Sequence, residues 1–176
     1  VFTPTVDKNL TATDRDFTSG NSVAIGEIVT YTVTVKVPEG VTKNVVLTDQ
    51  LDAGLAFVGC DSITASSGVS TNVAGGFSGI CSGVSVTYAG NNTSVNQGRS
   101  ISYDFGTITN NNTNNAVDDT ITIVYRAVVL NSLGNNPGTN LNNNAVLTWD
   151  GGSDSDSADN VTVVEPFLQV NKTASP

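Results

Sequence analysis

Three polar residues in this sequence stand where hydrophobes belong, and their types are those of an acyl-transfer reaction. In a strand, successive side chains point to opposite faces. In Phe2 to Leu10 that alternation puts Phe2, Pro4, Val6, Lys8 and Leu10 on one apolar face. Val45, Leu47, Asp49 and Leu51 share a face in Asn44 to Leu51, and Leu141, Asn143, Ala145, Leu147 and Trp149 share one in Leu141 to Trp149. One Lys, one Asp and one Asn therefore face inward. Each alone also fits an edge position whose polar tip reaches solvent.

Together they suggest a reaction. Burial lowers the pKa of a Lys and raises that of an Asp until the pair can exist as a neutral amine beside a protonated acid. The amine is then a nucleophile. An Asn carboxamide polarised by a hydrogen bond from the acid can be attacked at its carbonyl carbon and lose ammonia, leaving an amide between the two side chains. The expectation is an internal isopeptide bond from Lys8 to Asn143, with Asp49 as proton donor and acceptor. Folding alone would assemble the three, so no cofactor is expected.

The elements that must position them are strands. Val, Thr and Ile recur in apolar/polar alternation between clusters of Gly, Asn, Asp and Ser, the pattern of an all-β sandwich. Ile28 to Val37 is the clearest, with Val29, Tyr31, Val33 and Val35 inward. Further strands are predicted at Leu55 to Val58, Val84 to Tyr88, Ser100 to Ile108, Asp119 to Leu130 (Ile121, Ile123, Tyr125, Ala127 and Val129 on one face) and Val161 to Val164. Cys60 to Gly83 is rich in Gly, Ser and Ala with weak periodicity and reads as a long loop insertion. No segment shows a useful helical period. Val170-Asn171-Lys172 repeats Val6-Asp7-Lys8, each after a proline. Residues 1–165 are thus expected to form one sandwich repeat, and 166–176 a linker and the first strand of the next.

Composition excludes several functions. The 176 residues carry 7 Lys and Arg against 16 Asp and Glu, a net charge of -9, which argues against nucleic acid and anionic membrane surfaces as partners. No apolar stretch approaches a membrane span, and the absence of a basic, hydrophobic leader makes Val1 read as a start within a longer chain. With no His, ordinary hydrolase chemistry loses its commonest base, and no metal site is expected. The two cysteines, Cys60 and Cys81, lack metal-ligand spacing and read as a disulfide. Such a bridge is worth about 3 kcal/mol and implies an oxidising, extracellular setting. Two buried free thiols are the alternative. Asp150, Asp154, Asp156 and Asp159 could offer carboxylates to Ca2+ but lack EF-hand spacing and its closing Glu, and they read as a solvated turn.

Gly26-Glu27-Ile28-Val29-Thr30-Tyr31-Thr32-Val33, Val46-Leu47-Thr48-Asp49-Gln50-Leu51-Asp52-Ala53-Gly54-Leu55, Asn143-Asn144-Ala145-Val146-Leu147-Thr148 and Val163-Val164-Glu165-Pro166 ahead of Lys172 carry a further signal. The sequence resembles the repeated immunoglobulin-like domains of bacterial fimbrial proteins and large surface adhesins, in particular their isopeptide-forming type. That resemblance implies an immunoglobulin-like β-sandwich in which a first-strand Lys (Lys8), an Asp on an early strand (Asp49) and an Asn on a late strand (Asn143) are cross-linked. Asp52 stands where a proline is common. The resemblance also implies a non-enzymatic stalk module at the cell surface, whose partners are neighbouring repeats of the same protein or filament. A module that binds a sugar, calcium or a host protein, with no isopeptide bond, is the competing reading.

Overall fold

Strand formation follows the alternation. The computed structural model describes residues 2–87, 99–114, 116–165 and 172. In chain order the elements are β1 (Thr5–Thr13), β2 (Ser22–Val23), β3 (Ile28–Lys36), β4 (Gly40–Leu51), β5 (Leu55–Ala65), β6 (Val69–Thr71), α1 (Gly76–Ser82), β7 (Ser85–Thr87), β8 (Ser100–Asn110), β9 (Thr120–Val129), β10 (Asn140–Leu141), β11 (Asn143–Trp149), β12 (Gly152–Ser157) and β13 (Val161–Val163). On β3 and β9 every second residue is buried, which a β-branched and aromatic face achieves without breaking the pleat.

Two sheets form the layers of a sandwich. One has the order β1-β3-β9-β5, and the other β12-β11-β4-β8-β6, with β7 also on β8. A small sheet, β10-β13-β2, closes one pole, where β13 runs parallel to β2. The core between the layers takes Val29, Tyr31, Val33, Ile121, Ile123 and Tyr125 from the first sheet and Leu47, Leu51, Ile101, Tyr103, Phe105 and Leu147 from the second. This is the expected all-β sandwich.

Several boundaries differ from expectation. Phe2 lies ahead of β1 and is 92% exposed, while the inward parity of Pro4, Val6 and Lys8 holds. Cys60 to Gly83 is ordered structure rather than a long loop: β5 continues to Ala65, β6 follows, and α1 packs on β5 and β8. Bulges between Phe57 and Gly59 and between Cys60 and Ser62 shift the face of successive residues, so the two-residue period is lost although the strand continues. The predicted disulfide is present and ties β5 at Cys60 to α1 at Cys81. The expected linker and next first strand, 166–176, lie outside the described residues except for Lys172, which is exposed.

Candidate functional site

The three inward polar residues meet. Lys8 is on β1, paired with Val33 of β3, and its side chain crosses from the edge of the first sheet toward the second. Asp49 of β4 lies opposite Ala145 of β11 on one side and Ile101 of β8 on the other. Asn143 opens β11 opposite Leu51, which makes it a diagonal same-face neighbour of Asp49. All three are buried, at 2%, 0% and 1% exposure for Lys8, Asp49 and Asn143. Lys8 Nζ donates to Asp49 Oδ2 as a buried ion-pair contact and to the Tyr125 hydroxyl at 2.7 Å. Asn143 Nδ2 donates to the same hydroxyl at 2.6 Å.

The surroundings favour the neutral forms. Burial is the main influence on both partners, lowering the pKa of Lys8 and raising that of Asp49, while their mutual attraction works the other way. Tyrosine rings wall the cluster. Lys8 Nζ sits 5.1 Å from the ring centres of both Tyr31 and Tyr125, and burial holds both phenols above their ordinary range. Asp49 Oδ1 and Asn143 Oδ1 are buried without a hydrogen-bond partner. Each is costly to leave unpaired, and the two residues are diagonal neighbours on one face, so an acid O–H at Asp49 directed to the Asn143 carbonyl would satisfy both.

Against known structures the chain is similar to pilus subunits. BcpA, the major pilin subunit of Bacillus cereus, matches over 92% of this chain and 40% of its own at 15% identity, with a TM-score of 0.51. The pilus backbone RrgB of Streptococcus pneumoniae matches over 84% of this chain and 31% of its own at 15% identity and a TM-score of 0.50. A 35 kDa C-terminal fragment of the major pilin GBS80 of Streptococcus agalactiae matches over 93% and 56% at 10% identity and 0.51. What is shared is the fold. The chain spans well under two thirds of each of these proteins. No protein-family model and no curated protein matches the sequence.

Around the cluster lie residues that the sequence did not mark. Tyr125 reads as core, because its ring has core parity and only the third dimension reveals what its hydroxyl touches. Asp154 Oδ2 accepts the Val6 N–H at 2.9 Å and Asp156 Oδ2 the Lys8 N–H at 2.7 Å, so two of the four acids considered for calcium instead hold the backbone of β1. They belong to strand β12 rather than a solvated turn. Among the described residues no group of acids, Cys or His is arranged to hold a metal ion. Asp52 bonds the Asn142 N–H at 2.7 Å while its own N–H donates to Asn142 O, which fixes the residue just ahead of Asn143. Asn144 faces away from the cluster and accepts from Ser157, as the alternation requires. Trp149 is half-buried at the margin of the core.

Proposed function

We propose that this domain is a structural stalk or filament module of a bacterial surface adhesin or fimbria, locked by an autocatalytic isopeptide bond between Lys8 and Asn143. The observation that carries the reading is the meeting of Lys8 Nζ, the Asp49 carboxyl and the Asn143 carboxamide in one dry core, on β1, β4 and β11. In the proposed step Nζ attacks Cγ of Asn143, the Nζ–Cγ bond forms, the Cγ–Nδ2 bond breaks, and ammonia leaves. Asp49, protonated, polarises the carbonyl through Oδ1 and ends as it began, while the one proton that Nζ gives up is delivered to Nδ2, so that ammonia and not an amide anion leaves. The reaction happens once per chain, so the domain is not a turnover enzyme, and it needs no cofactor.

The frame supports a linear module. Phe2 lies beside Lys36, Pro38 and Asp118 at one pole, whereas β13 pairs with β2 and β10 at the other, beyond Leu51 and Val129. A chain that enters at one pole and leaves at the opposite one can be repeated end to end. In this reading 1–165 is one repeat, 166–176 leads into the next, the partners are neighbouring repeats, and the setting is extracellular, in keeping with the disulfide. The pilin subunits of similar fold support the same assignment.

Intact mass after reduction tests it. The wild-type chain is expected to weigh one ammonia less than its sequence, with tandem spectra joining the Lys8 and Asn143 peptides. Asp49→Ala is expected to fold and keep its full mass. A wild-type chain of full mass removes the cross-link and returns the weight to a ligand-binding module.

A further inference from the structure

Tyr125 has an unusual position for a core tyrosine. Its hydroxyl is within hydrogen-bond distance of the nitrogen that would attack, Lys8 Nζ at 2.7 Å, and of the nitrogen that would leave, Asn143 Nδ2 at 2.6 Å. An amide nitrogen departs only after it gains a proton, because an amide anion is too basic to be released. Asp49 Oδ2 lies on Nζ and not on Nδ2. The hydroxyl that Nδ2 meets at hydrogen-bond distance is that of Tyr125, at 2.6 Å. The ring is held in place: it is fully buried and lies 5.6 Å from Tyr31, 6.0 Å from Phe57 and 6.4 Å from Tyr103, centre to centre.

We infer that Tyr125 is a proton relay in the cross-linking step, its phenolic oxygen taking a proton from Lys8 Nζ while its own proton passes to Asn143 Nδ2. The inference rests on the cross-link proposed above. The balance closes without an external reagent. Nζ gives up one proton as the Nζ–Cγ bond forms, Nδ2 gains one as the Cγ–Nδ2 bond breaks, ammonia leaves, and the phenol ends as it began. Asp49 keeps the task of polarising the carbonyl. Burial, which holds the phenol protonated, suits a neutral relay that must offer a proton before it accepts one. Tyr103 provides the comparison, since its ring packs against that of Tyr125 but its hydroxyl has no partner.

The test follows the full chain during cell-free synthesis, with aliquots quenched in acidic denaturant, reduced and weighed. Tyr125→Phe is expected to fold with an unchanged circular dichroism spectrum and to lose ammonia about 100-fold more slowly than the wild type, in the range of a lost acid-base group. Tyr103→Phe is expected to keep the wild-type rate. A second measurement does not depend on how the variant folds: in mixtures of light and heavy water the wild-type rate is expected to curve with deuterium fraction, as two protons in flight require. Tyr125→Phe cross-linking at the wild-type rate, or a linear isotope dependence, overturns the relay and leaves the cross-link standing. A wild-type chain that never loses ammonia overturns both.

Discussion

Lys8 and Asp49 hold one proton between them in a place that favours neither charge. Whether drawn as ammonium and carboxylate or as amine and acid, the pair binds the same number of protons as in the unfolded chain at neutral pH, so before cross-linking it adds no slope to stability against pH there. Removing one partner changes this. In Lys8→Met, Asp49 keeps the burial that raises its pKa above 3.8 and loses the attraction that lowers it. A carboxyl with a raised folded pKa contributes its stability in full below the unfolded value and loses it as pH rises through the folded one. Lys8→Met is therefore expected to melt lower at pH 7 than at pH 5, with a loss of up to about 1.4 kcal/mol per pH unit between the two pKa values. Lys8→Met with Asp49→Asn is expected to lack that slope. Equal slopes in the two variants would show that Asp49 is not the buried acid described here. At this scale the sequence was informative for a physical reason. A charge on an apolar face breaks the alternation and is visible, whereas the Tyr125 hydroxyl rides on a ring that satisfies the alternation and is not. Glu27, fully buried while accepting from the Ala24 N–H and Thr18, escaped notice because it serves a turn, where no period exists to break.

At the scale of elements, the edge strand β1 is secured in a way that governs Lys8. Among the described residues its one strand partner is β3, and on the other side Asp154 and Asp156 reach from β12 to the N–H groups of Val6 and Lys8. Alternate residues of one strand thus serve alternate residues of the other, and carboxylates fill an edge that would otherwise be open to a further strand. Asp156→Ala is expected to cost about 1.5–3 kcal/mol, the range for a hydrogen bond to a charged group, and to speed hydrogen exchange at the Lys8 amide well beyond that at Val33 in the adjoining strand. An unchanged Lys8 amide would mean that Asp156 does not hold the strand. The sequence showed strands with one apolar face and missed those without. Ser153 to Ser157 alternates Ser with Asp, residues poor in strand propensity, because its inward side meets the backbone of β1 and not the core. The α1 segment was hidden by its length, since 7 residues with a glycine start are too few to display a helical period.

For the whole molecule, the proposed bond decides which part of the chain can bear load. Tension applied through Phe2 and Val164 would pass along β1 to Lys8, cross to Asn143, and leave by β11, β12 and β13. Everything between Lys8 and Asn143, including the loop closed by Cys60 and Cys81, would lie outside that path. Pulled between the two poles, the wild-type domain is expected to release less than about 100 Å of chain, from the short leading segment and the residues after Asn143, at the extended rise per residue. Asp49→Ala, folded but not joined, is expected to release roughly 500 Å in oxidised form, since only the disulfide loop is then withheld, and a further increment of roughly 70 Å once that loop is reduced. Single-molecule extension distinguishes the two cases directly. A wild-type domain that lengthens as far as Asp49→Ala would mean that β1 and β11 are not covalently joined, leaving the disulfide to protect only the stretch from Cys60 to Cys81. The position of the proposed bond is what would make the difference: it would join an early strand of one sheet to a late strand of the other, so that a single amide would span most of the sandwich.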